Sequence, residues 1–407
     1  MQTQTLYSPP GINPGAMSLK VLILKDTLSA RTGASKLTLE IARAFADAGD
    51  DVRVVFFHDD GSSHLMHESA NGLKIEIFER GLHSGLSKIL QSPVMKIFMK
   101  DAFTLDDAVN LLGELSYTRT LNASKEGPDL IIFMNMWSGI PAVFMSNRYR
   151  SHSVLYFHEP PTFSGLPLPV RVALRWYLRL LLNRISTNVS ITEATRSAME
   201  RGAGIRSRVV PDAFRILPVS GEKEDFVLLD TRWTWVRNPF FLIEVARLAE
   251  GIRFKMCGSF ASAELKEQFI SELRLNGVAD RVEVHDNLRE SELGLYYSKA
   301  KCYLRWSNSK ISETGPSYGV IQAVSNGCIP VVSRNLGSSQ YVSEHLGSEF
   351  VVDNDPGLFA GVVKSLFADG SFYAQSLSRL LSWRNSYDWN DYRRELIGIS
   401  LENATGI

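Results

Sequence analysis

Two short apolar strands, KVLIL at Lys20 to Leu24 and FVLL at Phe226 to Leu229, each open a run in which strands alternate with helical stretches. That double start constrains the fold more than any other feature. Continuous apolar runs of this length mark strands buried on both faces, as in parallel sheets. After the first, Leu37, Ile41, Ala44, Phe45 and Ala48 recur at helical spacing behind a turn at Arg31 to Ser35. Gly49 ends that helix and DDVRVVFF resumes as a strand, giving a βαβ unit with a right-handed crossover. DLIIF (Asp129 to Phe133), SVLYFH (Ser153 to His158) and NVSIT (Asn188 to Thr192) add further strands.

In the second run the spacing predicts a helix over Asn238 to Glu250, with Phe241, Val245 and Leu248 on one face. Strands follow at Arg253 to Cys257, Arg281 to His285, Cys302 to Arg305 and in CIPVV. The expected class is α/β, with two Rossmann-like domains facing each other across a cleft. They meet near residues 206–224, where Pro211, Pro218 and Gly221 break the pattern. At 407 residues the chain is long enough for two such cores, and the cleft between them is where a nucleotide ligand is expected.

The charge balance narrows the partners. Lysines plus arginines and aspartates plus glutamates number 44 each, so no global basic field draws nucleic acid. Cys257, Cys302 and Cys328 lie far apart in apolar surroundings. They have neither metal spacing nor a disulfide framework, which predicts buried thiols in a reducing compartment. The opening MQTQTLYSPPGINPGAMS has no basic region followed by an apolar one, so it reads as a flexible leader, and Met17 as an alternative start. No apolar run reaches the roughly 20 residues that span a bilayer, and a cytoplasmic protein is expected.

The strand FVLLD leads into Thr231-Arg232-Trp233-Thr234-Trp235-Val236-Arg237-Asn238-Pro239. Two guanidinium groups five residues apart, at a strand end and a helix start, can converge on one diphosphate. Fork donors give charge-assisted hydrogen bonds, and a helix N-terminus favours the anion. Read blandly, they are two surface arginines. This segment resembles the retaining nucleotide-sugar glycosyltransferases of the GT-B fold, specifically glycosyltransferase family 4. That family carries an Arg, four intervening residues and a Lys here, and both grip the donor diphosphate. Arg232 and Arg237 match in position, with Arg in place of Lys and Thr231 in place of the usual Gly.

The resemblance covers the chain from about Lys20 onward. FKMCGSF matches the family's strand, Gly and turn, and so implies that Gly258 approaches the donor. ESELGLYYSKA, GCIPVVSRNLGS and the terminal SYDWNDY match further family segments, the last leading into a helix that packs back on the first domain. The implied layout is a leader over 1–18, an acceptor-side domain over 19–210, a nucleotide-sugar domain over 211–385 and the returning helix over 386–407.

ISETGPSYGVIQAVSNGCIPVVS, from Ile311 to Ser333, resembles the family's Glu-x7-Glu motif. There the first Glu contacts the donor sugar and the second grips the ribose hydroxyls. Ala323, Gly327 and Pro330 set the register, which puts Gln322 in place of the second Glu and Thr314 in place of the first. Either Glu313 serves through a one-residue insertion, or the first acid is displaced. Gly315-Pro316-Ser317 is a loop able to absorb the insertion. Ser317 is a candidate N-cap that leaves the amides of Tyr318 and Gly319 open toward phosphate. An amide at Gln322 can still hold a ribose diol, at a cost on the order of 1 kcal/mol against a carboxylate.

His158 matches a family histidine close to the reacting sugar; otherwise it caps a strand end. Gly33, in the first turn, matches a family glycine whose amide approaches the donor or acceptor. The implied reaction is retaining transfer of a sugar from a nucleoside-diphosphate sugar to a saccharide or lipid-linked acceptor. Arg232, Arg237, His158 and Glu313 are then the catalytic candidates. Gly33, Gly258, Ser317, Tyr318, Gly319 and Gln322 are the donor-binding ones. No metal or other cofactor is expected: Asp353-Asn354-Asp355 is an Asp-x-Asp, but it stands before a Pro-Gly turn where acids cap helices.

Two stretches bear on the acceptor. VRVALRWYLRLLLNR (Val170 to Arg184) puts Arg171, Arg175 and Arg179 on one face of a helix. It is expected to be partly buried with a solvated edge, and a membrane-surface role is the second reading. LSKILQSPVMKIFM (Leu86 to Met99) is a candidate acceptor pocket or lipid contact. Rival functions are a non-catalytic glycosyltransferase-like binding subunit and a nucleotide-sugar epimerase. A nicotinamide dehydrogenase is disfavoured because neither half has GxGxxG after its first strand.

Overall fold

The computed structural model describes residues 18–29, 33–59, 61–62, 70–78, 117, 127–134, 151–157, 168–182, 187–217, 223–286, 288–308 and 317–402. Among these, strands β1 (Lys20–Leu28), β2 (Asp51–Asp59), β3 (Lys74–Ile77), β4 (Leu130–Phe133), β5 (His152–Phe157), β6 (Thr187–Ser190) and β7 (Arg208–Val209) form one sheet. Its order is β3-β2-β1-β4-β5-β6-β7 and every pairing is parallel. Helices α1 (Gly33–Asp47), α2 (Leu168–Leu182) and α3 (Glu193–Ala203) connect these strands. Ile23 and Leu24 of β1 and all of β4 are buried, as continuous apolar runs require of strands covered on both faces.

A second parallel sheet contains β8 (Glu224–Asp230), β9 (Arg253–Cys257), β10 (Val282–His285), β11 (Ala300–Arg305), β12 (Ile329–Ser333) and β13 (Val351–Val352), in the order β10-β9-β8-β11-β12-β13. Its helices are α4 (Phe241–Leu248), α5 (Ala263–Leu275), α6 (Glu290–Lys299), α7 (Tyr318–Ser325), α8 (Ser339–His345), α9 (Pro356–Ala368) and α10 (Gly370–Arg384). The final helix, α11 (Trp389–Glu402), returns to the first sheet. Its Tyr392, Leu396 and Ile399 join that sheet's core. Arg393 makes a bidentate pair with Asp50, at 2.7 and 2.8 Å. With both side chains buried, loss of either partner is expected to cost about 3–5 kcal/mol.

Three local expectations shift. β1 runs four residues past Leu24, to Leu28. Helix α1 begins at Gly33, so that glycine opens the helix instead of sitting within the turn. Helix α4 starts at Phe241, because Asn238 takes a positive φ of 34° that no helix interior accommodates. The three thiols are free and buried, and burial pushes that of Cys328 up to about 12.

Candidate functional site

β8 lies at the middle of the second sheet, between β9 and β11, where the order of connection reverses. The carboxyl ends of strands at such a switch point form a crevice. Here the loop Thr231 to Asn238 is clamped from two sides. On the β9 side, the Trp233 amide donates to the Ser259 carbonyl at 2.8 Å and the Trp233 carbonyl accepts from the Ala261 amide at 2.8 Å. The buried Trp233 ring donates from Nε1 to the Cys257 carbonyl at 2.9 Å. On the β11 side, Trp306 Nε1 donates to the carbonyls of Arg237 and Asn238, at 3.0 and 3.1 Å. The two indoles pack together with centroids 6.1 Å apart.

Within this clamp Arg237 folds back along the loop. Arg237 Nη1 reaches back to Thr231 Oγ1 at 2.9 Å and to the Arg232 carbonyl at 3.2 Å. Arg232 is exposed and Arg237 partly buried. Thr231, standing where the family has glycine, therefore supplies a hydroxyl that orients Arg237. Gly258 closes the loop from below, with φ +105°. A Cβ there would stand 2.1 Å from the Thr231 carbonyl oxygen, so a side chain would force the two loops apart.

Helix α7 aims its N-terminus at the same crevice. Ser317 takes the N-cap position but makes no side-chain cap. This departs from the expected capping role. The amides of Tyr318 and Gly319 are thus left without a side-chain acceptor among the described residues. Gly319 packs so tightly that a Cβ would meet the Tyr303 hydroxyl at 2.1 Å. Tyr303 donates to the Asp230 carbonyl at 3.0 Å, and Tyr297 donates to Asp230 Oδ2 at 3.1 Å. Burial raises the Asp230 carboxyl above its ordinary value, opposed by the charges of Lys36, Arg305 and Arg237. Gln322, partly exposed, donates from Nε2 to the Tyr318 hydroxyl at 2.8 Å, leaving its carbonyl oxygen to accept from a ligand.

The first domain meets this crevice through α1. At Gly33 a Cβ would stand 2.7 Å from Tyr318 Cβ, so glycine here permits helix-to-helix contact between the domains. Glu40, buried, pairs with Arg215 Nε at 2.8 Å. Burial raises its carboxyl, with Arg215 opposing.

His158 and Glu313 lie outside the described residues, as do Leu86 to Met99 and the leader apart from Ser18. The Asp-x-Asp is otherwise engaged: Asp355 caps α9, accepting from the amides of Gly357 and Leu358, while Asp353 pairs with Arg334 at 2.9 Å. Among the described residues no group of three or more His, Cys, Asp or Glu could hold a metal. Helix α2 keeps Leu182 buried and Arg171 partly buried, and its solvated edge is broader than the arginines alone. Leu168, Val172 and Trp176, one turn apart, are 62, 55 and 66% exposed, and Arg175 and Arg179 are exposed beside them.

Sequence reasoning missed Asp230, Lys36, Glu40 and the clamping tryptophans. A carboxylate ending the apolar strand FVLL was the one visible signal among these. Periodicity assigns Lys36 and Glu40 to the side of α1 away from its own core, and says nothing of a second domain lying there.

Comparison with known proteins places this architecture. Solved structures of glycosyltransferases superpose over nearly the whole chain. HepE from Anabaena in complex with UDP and glucose is 15% identical, with a TM-score of 0.67 over 93% of this chain and 98% of that one. A variant of S. aureus TarM, in complex with fondaparinux, alpha-GlcNAc-glycerol and UDP, is 13% identical, with a TM-score of 0.68 over 94% and 99%. Sucrose-phosphate synthase from Thermosynechococcus elongatus is 13% identical, with a TM-score of 0.66 over 95% and 99%. The fold is therefore that of the GT-B glycosyltransferases. Residues 32–213 match the glycosyl transferase 4-like domain family. No curated protein matches the chain in sequence.

Proposed function

We propose that the chain is a retaining glycosyltransferase that moves a hexose from a nucleoside-diphosphate sugar to a saccharide or lipid-linked acceptor. One observation carries the reading: Arg232 and Arg237, pinned by two tryptophans, stand beside Gly258 and the uncapped N-terminus of α7 at the switch point of the sheet. The diphosphate lies against these donors, and its developing charge is neutralised by the two guanidinium groups. Gln322 accepts from a ribose hydroxyl through Oε1, while Tyr318 holds its amide nitrogen. His158 and Glu313 are assigned to the sugar by their motifs. In the front-face course implied, the anomeric C–O bond to diphosphate breaks and the bond to the acceptor oxygen forms on the same face. The departing phosphate takes the acceptor proton. This chemistry needs no divalent metal, since arginines do the neutralising.

The acceptor side is read from α2. Its exposed line of Leu168, Val172 and Trp176 beside Arg175 and Arg179 suits an anionic membrane surface, where a lipid-linked acceptor would lie. No helix among the described residues is long and apolar enough to cross a membrane; the contact proposed is a peripheral one, on the cytoplasmic face. A thermal-shift panel of UDP, GDP and ADP tests the donor reading, because a bound ligand stabilises the fold by mass action. UDP leads the panel, since HepE and TarM are seen with it. A rise with one diphosphate, lost in Arg232→Ala, is expected; no rise with any of them contradicts the reading. An epimerase would convert the sugar with no acceptor present, which product analysis separates.

A further inference from the structure

Helix α1 carries a stripe that its own core does not use. Gly33, Lys36 and Glu40 are spaced i, i+3, i+7 and so share one face. Both ends of the stripe are fixed by contacts directed at the second domain. At Gly33 the backbone lies against Tyr318 of α7. At Glu40 the carboxylate takes Arg215, whose amide donates to Ser325 Oγ at the far end of α7 at 3.1 Å. Lys36 stands between these two points. Its charge falls on Asp230, at the carboxyl end of β8, together with those of Arg237 and Arg305. It is partly buried, yet among the described residues it makes no hydrogen bond or ion pair. It therefore has a charge to offer on the face of α1 that meets the second domain.

We propose that Lys36 is a third cation of the donor diphosphate site, supplied by the first domain across the cleft. The inference rests on the donor reading above and adds a residue from the opposite wall. When the anomeric C–O bond breaks, its electron pair passes to the leaving phosphate oxygen. Lys36, with three rotatable N–H donors, meets the charge that forms there. Arg232 and Arg237 belong to the second domain and act as soon as the nucleotide binds. Lys36 belongs to the first and acts only with the domains together, so neutralisation of the leaving group is completed by closure.

The test compares wild type with Lys36→Met, Lys36→Arg and Lys36→Cys, measuring kcat for sugar transfer and, separately, the dissociation constant for the nucleoside diphosphate. Lys36→Met is expected to lower kcat by about 100- to 1,000-fold, the range for losing one such donor, and to weaken diphosphate binding as well, since the free diphosphate carries the charge that forms on the leaving group. Lys36→Arg should recover much of the rate. Treating Lys36→Cys with 2-bromoethylamine restores an ammonium on a near-isosteric stem, and the native thiols are buried from the reagent. Recovery on aminoethylation, with an unchanged melting temperature, is the predicted result and a purely structural role would not give it. A kcat for Lys36→Met within threefold of wild type, or no recovery on aminoethylation, overturns the proposal. If wild type binds no diphosphate and transfers no sugar, the donor reading itself has failed; if it does both and only the Lys36 results disagree, this inference alone falls.

Discussion

Gln322 shows how a residue that looks wrong by motif can still be fixed in place. Its Nε2 donates to Tyr318 Oη at 2.8 Å, so the amide is held in one orientation and only the carbonyl oxygen is offered outward. A carboxylate could keep the same partner by accepting from the phenol, because a hydroxyl both donates and accepts. Gln322→Glu is therefore expected to fold normally and to bind the nucleoside diphosphate about 3- to 10-fold tighter, the equivalent of roughly 1 kcal/mol for a charge-assisted bond. Isothermal titration measures it, and weaker binding would remove Gln322 from the ribose. Asp212 is a different case. It accepts from Tyr156 Oη, its Oδ2 has no hydrogen-bond partner among the described residues, and burial raises its carboxyl to about 7. The unfolded chain gives up this proton near pH 4, whereas the folded chain keeps it to about pH 7. Between those values the folded form binds more protons, so this group's contribution to stability falls as pH rises and is lost above pH 7. Asp212→Asn should erase that slope, giving a melting temperature that exceeds wild type more at pH 8 than at pH 5. An equal difference at both pH values would show that Asp212 is ionised in the fold.

Elements record why some of this was legible in the sequence and some was not. Strands β1, β4, β8 and β9 announce themselves as apolar runs because both faces of a parallel sheet are covered. The start of α4 was misread because Asn238 and Pro239 look like a helix opening, while the pull of Trp306 on the carbonyls of Arg237 and Asn238 keeps that turn out of the helix. That Arg232 and Arg237 share one loop after β8 was legible, since spacing and strand end coincided. What holds it was not: a tryptophan two loops away leaves no local pattern. Helix α2 was legible in outline only. Its solvated edge was expected from the arginines alone, yet Leu168, Val172 and Trp176 also face solvent. If this line meets a membrane, the protein should co-sediment with anionic vesicles in a salt-sensitive manner. Trp176→Glu should then lower the vesicle-bound fraction several-fold without altering diphosphate binding. Equal binding by the two proteins would assign α2 no role at the membrane.

At the scale of the whole molecule, two parallel sheets are tied together by a few long-range contacts. Arg215 carries the chain out of the first sheet while pairing with Glu40. Tyr341 of α8 donates to the Ile191 carbonyl at 3.2 Å. Helix α11 returns to complete the first core. These contacts set the face of α1 against α7, where the candidate donor residues lie, and they join residues too far apart for sequence periodicity to relate. The central claim is that this crevice cleaves a sugar from a nucleoside diphosphate, with Arg237 bearing the charge of the leaving group. It is tested most directly by the rate of nucleoside diphosphate release from a nucleotide sugar that stabilises the fold, measured for wild type and Arg237→Ala at matched, saturating donor. The account predicts steady release by wild type and a fall of about 100-fold or more in the variant, on the scale of losing one preorganised donor to a developing anion. Equal rates for the two proteins, or no release by wild type from any donor it binds, would contradict it.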